Sequence, residues 1–200
     1  YRVHAQSYGW LDWAKNGEAA GSEGYSKRLE GIEIRLVKKG EAAPGSTSRP
    51  FVCKMIKYQT HVQNIGWQSE KADGEMSGTS GQYLRLEGIK IHLGGSIDGG
   101  IAYATHVQTY GWQSYVSDGQ LSGTSGQSKR LEAIRMNLTG NAANQYDVYY
   151  RVHAQHFGWL GWAKNGQSAG TAGYSYRLEG IQIVLVPKGG SAPGSTTNHY

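Results

Sequence analysis

The 200-residue chain predicts an all-β repeat protein, and three observations carry that prediction. First, thirteen residue positions return four times in the same order and spacing, in copies that begin at Tyr1, Tyr58, Tyr103 and Tyr150. In the first copy they are Tyr1, His4, Gln6, Gly9, Trp10, Gly17, Gly21, Gly24, Arg28, Leu29, Glu30, Ile32 and Leu36. Second, the last segment of each copy alternates apolar and polar residues, the period of a half-buried strand. Third, the chain has 30 glycines and only 4 prolines, many of the glycines in turn-forming pairs. A unit of roughly 40 residues buries too little surface to be stable alone, so the copies must pack on one another.

The elements of one copy read in order. Tyr1-Arg2-Val3-His4-Ala5-Gln6 alternates, with Tyr1, Val3 and Ala5 on one face and His4 and Gln6 on the other. Gly9-Trp10 follows, the glycine suiting a bend or bulge. Asn16-Gly17, Asp73-Gly74, Asp118-Gly119 and Asn165-Gly166 are strong hairpin signals. Gly21 and Gly24 mark a second turn, where the first copy departs from the others by carrying Ser22-Glu23. The final strand, Arg28 to Leu36, places Ile32, Ile34 and Leu36 on one face, in line with Arg28 and Glu30. An isolated buried charge is costly, so Arg28 with Glu30, Arg85 with Glu87, Arg130 with Glu132 and Arg177 with Glu179 are expected to form hydrogen-bonded structural pairs at the end of the core.

The copies are spaced 57, 45 and 47 residues apart, and the wide gap carries Ala43-Pro44-Gly45-Ser46-Thr47, which recurs as Ala192-Pro193-Gly194-Ser195-Thr196. Copies one and four share Gly-Trp-Leu-x-Trp-Ala-Lys-Asn-Gly; copies two and three share Gln after the tryptophan, an Asp-Gly turn and Ser-Gly-Thr-Ser-Gly-Gln. The pattern predicts a period of three. Copies two to four (repeats at about 58–95, 103–140 and 150–188, within 57–200) form a pseudo-threefold unit, trefoil-like or prism-like. Residues 1–43 are then the last member of a preceding unit, and 44–56 a spacer. An open serial array of copies is the alternative. Copy one, lacking siblings, is expected to expose an edge and to dock on copy two or on another chain. Because the sequence starts inside a repeat, it reads as a segment of a longer protein.

Composition narrows function. The net charge of +5 comes without a basic run, so no nucleic-acid partner is expected. No apolar stretch is long enough to insert in a membrane. Cys53 is the single cysteine, which rules out an internal disulfide. The four histidines His4, His61, His106 and His153 have no paired spacing for a metal site, so neither metal nor cofactor is expected. Each repeated glutamate has an arginine two residues away, and a carboxylate taken up by a cation makes a poor general acid; an enzyme is not expected.

The repeated tryptophans Trp10, Trp67, Trp112 and Trp159 read as structural, packed in the core or between repeats. Three residues on stand Trp13, Glu70, Tyr115 and Trp162. A position that tolerates glutamate reads as exposed, and an exposed aromatic beside a turn suits stacking on a sugar ring. Trp13, Tyr115 and Trp162, with Asp12, Lys15, Lys164 and Asn165 nearby in sequence, are therefore the candidate ligand-binding residues. The competing explanation is a packing difference between members of the unit.

The strings His61 to Gln68 and His106 to Gln113, the following Asp-Gly and Ser-Gly-Thr-Ser-Gly-Gln, and Arg-Leu-Glu-x-Ile resemble the clostridial hydrophobic repeat with an invariant tryptophan, the ChW repeat. Tyr150 to Val186 is similar to its Trp-Ala-Lys-Asn-Gly variant. The resemblance implies a secreted or cell-surface protein of a Gram-positive bacterium and supplies no catalytic residues. It implies a non-catalytic module binding polysaccharide, host or cell-surface glycan, or acting in adhesion. The alternative is a structural spacer or assembly module that binds protein partners or itself.

Overall fold

The computed structural model describes residues 1–95 and 97–200. The chain divides into two units, Tyr1–Lys54 and Met55–Tyr200.

The first unit holds copy one. Its strands are β1 (Arg2–Ala5), β2 (Gly9–Trp10), β3 (Gly21–Glu23), β4 (Leu29–Glu33) and β5 (Phe51–Cys53). β1 lies between β2 and β4, antiparallel to both, with Val3 opposite Ile32. β3 pairs in parallel with β5. Part of the predicted spacer is thus a strand of this unit, because the free edge at Gly21–Glu23 takes up Phe51–Cys53. The core is small: Val3, Ala5 and Leu11, flanked by Tyr8, Ala20 and Val52.

The second unit holds the other three copies. Copy two supplies β6 (Ile56–Val62), β7 (Gly66–Trp67), β8 (Lys71–Ala72), β9 (Ser77–Gly78) and β10 (Leu86–Leu93). Copy three supplies β11 (Gly100–Val107), β12 (Gly111–Trp112), β13 (Val116–Ser117), β14 (Ser122–Gly123) and β15 (Leu131–Thr139). After one helical turn, α1 (Ala142–Gln145), copy four supplies β16 (Tyr146–Ala154), β17 (Gly158–Trp159), β18 (Ala163–Lys164), β19 (Ala169–Gly170) and β20 (Leu178–Pro187). In each copy the first and last strands pair antiparallel, with a register shift near the Arg–Glu pair. β6 alternates as its sequence predicts: Ile56, Tyr58, Thr60 and Val62 are buried, while Lys57, Gln59 and His61 face outward.

The three copies close on one another by exchanging their shortest strands. β9 of copy two pairs with β20 of copy four, β14 of copy three with β10 of copy two, and β19 of copy four with β15 of copy three. The exchange is cyclic, so an open serial array is not what forms. The glycine at the crossing is obligatory. Gly78, Gly123 and Gly170 have φ of +107°, +100° and +135°, and a Cβ on any of them would collide with the neighbour's Glu179, Glu87 or Glu132 carbonyl.

The Asp-Gly and Asn-Gly hairpins add a second contact between copies. Asp73 and Gly74, both at positive φ (45° and 89°), form a turn closed by Glu75 N–H on Ala72 O. The Gly74 N–H then reaches Ile183 O at 2.8 Å, and Gly119 and Gly166 do the same to Ile91 and Met136 at 2.7 Å.

At the centre, Tyr58, Tyr103 and Tyr150 are fully buried. Each phenol donates to a carbonyl of its own copy, on Glu75, Gln120 and Gln167 respectively. Each also accepts an N–H from the adjacent copy, from Ile183, Ile91 and Met136, at 3.2, 3.0 and 3.2 Å. Phenylalanine could do neither, which explains a tyrosine as first residue of every copy. Burial pushes the Tyr103 hydroxyl up to about 12 and raises those of Tyr58 and Tyr150 further. Around the tyrosines pack Ile56, Leu86, Ile89, Ile91, Ile134, Leu178, Ile181 and Ile183, each such burial contributing about 1.5–3 kcal/mol.

Candidate functional site: the tryptophan patches and the copy-four cleft

Each copy carries the same polar stack on its outer face. In copy two, Arg85 Nε and Nη2 meet Glu87 Oε1 at 2.8 and 2.7 Å, and His61 Nδ1 lies 3.1 Å from Glu87 Oε2. His61 in turn stands edge-on to Trp67, with centroids 5.4 Å apart. Copies three and four repeat this with Arg130, Glu132, His106 and Trp112, and with Arg177, Glu179, His153 and Trp159. Glu87, Glu132 and Glu179 are buried. In copy one Arg28 and Glu30 pair at 3.0 Å but remain more exposed.

Trp10, Trp67, Trp112 and Trp159 are not core residues. Trp10 is 46 % exposed and the other three are half-buried. They sit on short strands that fold back over the outer face of their own sheet: Trp67 pairs with His61, Trp159 with His153. Their strand partners and edge-on histidines belong to the same copy.

A cation lies over every one of these indoles, and sequence reading missed it. Arg2 is 4.9 Å from the Trp10 centroid, Lys90 4.8 Å from Trp67, Arg135 4.4 Å from Trp112 and Arg151 4.8 Å from Trp159. The four do not share a sequence position. Arg2 and Arg151 come from the first strand, Lys90 and Arg135 from the last. Their cross-strand partners are Glu33, Gln182, Gln59 and Ala104. Either strand can deliver the charge to the same point on the sheet surface. The signal available in the sequence was a basic residue at one or other of two positions in every copy.

The predicted ligand residues are not gathered into one site. Trp13 and Trp162, expected as exposed stacking platforms, are each only 6 % exposed. The recurring Ala-Pro-Gly-Ser-Thr segment covers them as a strap. The backbone N–H of Trp13 donates to Ser46 O at 2.9 Å and that of Trp162 to Ser195 O at 2.8 Å, with Gly45 and Gly194 set against the indole Nε1 edge. The strap follows only the copies with tryptophan at this position. Glu70 and Tyr115, in the copies without it, stay exposed; Tyr115 is 45 % exposed and takes Arg135 at 5.1 Å from its ring. Tolerance of glutamate in copy two thus reflected a missing strap, not a position exposed in every copy.

Lys164 and Asn165 turn toward Asp147 instead of Trp162. Lys164 Nζ is 2.8 Å from Asp147 Oδ2, and Asn165 Nδ2 donates to Asp147 Oδ1 at 2.7 Å. Burial raises the Asp147 pKa, but Lys164, Asn165, the Gly189 N–H and Lys188 outweigh it and hold the carboxyl far below the usual range. Lys15 is exposed, its backbone N–H bound by Glu18.

Asp12 anchors the first strap. Its Oδ2 accepts Ser48 Oγ–H at 2.8 Å, Ser46 Oγ–H at 2.9 Å and the Arg49 N–H at 2.8 Å. These donors, led by Ser48, lower its pKa. Copy four has Gly161 at this place, and the corresponding hydroxyls of Ser195 and Thr197 bond to each other at 2.8 Å. Beside them opens a cleft of about 380 Å³, lined by Arg151, Phe157, Trp159, Ser195, Thr197 and Asn198 among others. The Arg151 guanidinium is held between Trp159 and Trp162, 4.8 and 4.9 Å from their rings, with Nε donating to Gln182 Oε1 at 2.7 Å. Burial between the indoles lowers its pKa. The cleft thus combines a half-exposed indole, a second aromatic ring, a fixed guanidinium and two hydroxyls. No cluster of three or more metal-ligating side chains is present among the described residues.

The family model described as Clostridial hydrophobic W matches residues 4–38, 61–95, 106–140 and 153–187. No curated protein and no solved structure matches the chain.

Proposed function

Since the chain belongs to the clostridial hydrophobic W family, we propose that it is a non-catalytic binding module of a secreted or surface-associated protein, taking carbohydrate at the copy-four cleft. The observation that carries the reading is the Arg151 guanidinium fixed between Trp159 and Trp162 beside the Ser195 and Thr197 hydroxyls. Trp159 and Phe157 supply apolar surface for the C–H face of a sugar ring. The guanidinium and hydroxyls supply donors and acceptors that fix its orientation. The cation-flanked indoles of the other copies offer weaker surfaces of the same chemistry, which suits multivalent contact with a repeating polymer. The repeated glutamates, each taken up by arginine and histidine, favour binding over catalysis.

The test is tryptophan fluorescence during titration with plant and bacterial wall polysaccharides and mucin glycans. A saturable shift, lost in Trp159→Ala and weakened in the Ser195→Ala/Thr197→Ala double variant, supports the reading. A wild-type chain silent to all of them, or a shift that both variants retain, sinks it.

A second reading, an assembly module, is favoured by Leu29 and Ile32, which β4 leaves exposed.

A further inference from the structure

We propose that the apolar face and free edge of β4 form a docking site for a tandem pair of repeats of the copy-two and copy-three kind, which completes a second three-copy ring around copy one. This is independent of the glycan reading.

Copy one is built like copy four, with the same Gly-Trp-Leu-x-Trp-Ala-Lys-Asn-Gly segment and the same strap. In copy four, Leu178, Ile181, Ile183 and Leu185 are buried in the core shared with copies two and three. The corresponding residues of copy one, Leu29, Ile32, Ile34 and Leu36, are 59, 57, 68 and 102 % exposed. Two on β4 and two just past its end, these four exposed aliphatic side chains are a mark of an interaction surface.

The backbone tells the same story. β20 receives β9 along its outer edge, with Gly180 opposite Gly78, whereas among the described residues β4 ends its sheet and Gly31 has no such strand beside it. Tyr1 donates its hydroxyl to Glu18 O, as Tyr150 does to Gln167 O. Tyr150 also accepts the Met136 N–H of copy three; among the described residues, no N–H is donated to Tyr1 Oη. Copy one therefore presents the acceptor, edge and apolar stripe that copy four uses to hold its two neighbours.

The occupant follows from what fills those places in copy four. Copy two supplies the edge strand; copy three supplies Met136 and the Asn137 amide, which lies against the Gly166 turn. A second copy of this chain is a poorer fit. Its copies two to four are already closed on one another, leaving only its copy one, and the residue there at the place of Asn137 is Arg35. A pair of such chains also leaves one of the three places empty.

The test joins a duplicate of residues 55–149 to Tyr1, so that the added pair enters copy one through the link that copy three uses to enter copy four. Hydrogen exchange is followed by mass spectrometry at residues 31–36, with 180–185 of the same molecule as reference. The expected result is slowing at 31–36 on the order of 100-fold, toward the reference rate, and its loss in Ile34→Glu while 180–185 is unchanged. Exchange at 31–36 that stays at the rate of the unextended chain overturns the proposal, whatever the added pair does. So does light scattering that finds the unextended chain dimeric or trimeric with 31–36 already protected, since the occupant is then a second copy.

Discussion

The Tyr58 hydroxyl accepts the backbone N–H of Ile183 at 3.2 Å, across 125 residues of sequence. Because the same hydroxyl donates to Glu75 O, Tyr58→Phe leaves a buried N–H without its partner and removes a second, part-buried bond. The expected cost is about 1–3 kcal/mol, read by denaturant unfolding of the second unit. Tyr1→Phe, which removes one bond from a more exposed site, should cost less; equal losses would argue that the phenol merely fills space.

The strand exchange can be tested at its glycines. Gly78→Ala should destabilise by several kcal/mol, combining positive-φ strain with collision against the Glu179 carbonyl. Gly74→Ala, at φ +89° but with nothing within 4 Å of the new Cβ, should cost only about 1 kcal/mol. Thermal melts showing the two equally damaging would mean that crossing contact is not tight.

Identical chemistry should have opposite consequences in copies one and four. Ile34→Glu is expected to shift stability by less than about 0.5 kcal/mol, and Ile183→Glu to unfold the second unit by burying an unpaired charge. Circular dichroism melts decide this, and a large loss from Ile34→Glu would show that the segment just past β4 is covered.

The two tryptophans of copy four should also separate. Trp162→Ala removes an indole held under the strap and should cost about 3–5 kcal/mol. Trp159→Ala should cost much less but abolish glycan binding. Isothermal titration alongside chemical denaturation measures both, and loss of binding only in Trp162→Ala would move the ligand site.

Acid should loosen the first strap and spare the second. Asp12 has a lowered folded-state pKa, so its contribution is complete above the unfolded aspartate value of about 3.9 and is lost as pH falls through the folded value. Exchange of the Trp13 N–H, followed from pH 7 downward by nuclear magnetic resonance against a free-amide reference, should lose protection in acid. Asp12→Asn should remove that dependence. A Trp13 acid transition unchanged in the variant would place its cause elsewhere.

Much of the fold was legible in the sequence because it depends on local chemistry repeated four times. Alternation in Ile56–Val62 set which residues face inward, and paired positive-φ residues such as Asp73-Gly74 set the turns. Arg85 beside Glu87 on an apolar stripe announced its own partner. The candidate site was less legible. Whether an indole is buried depends on what crosses it: Trp13 is covered by Gly45 and Ser46, more than thirty residues on in the chain, and no local property of Trp13 reports that.

Sequence alone thus determined the all-β class, the number of copies and the kinship of copy one with copy four, since period, turn chemistry and residue identity are properties of single segments. Tertiary structure decided which tryptophans meet solvent, which strand delivers the cation to each, and how β9, β14 and β19 pass between copies. Those are relations between segments. They are set by the balance of strap packing, cross-strand register and burial of shared apolar surface, so Leu29 and Leu178, alike in sequence, end in opposite surroundings.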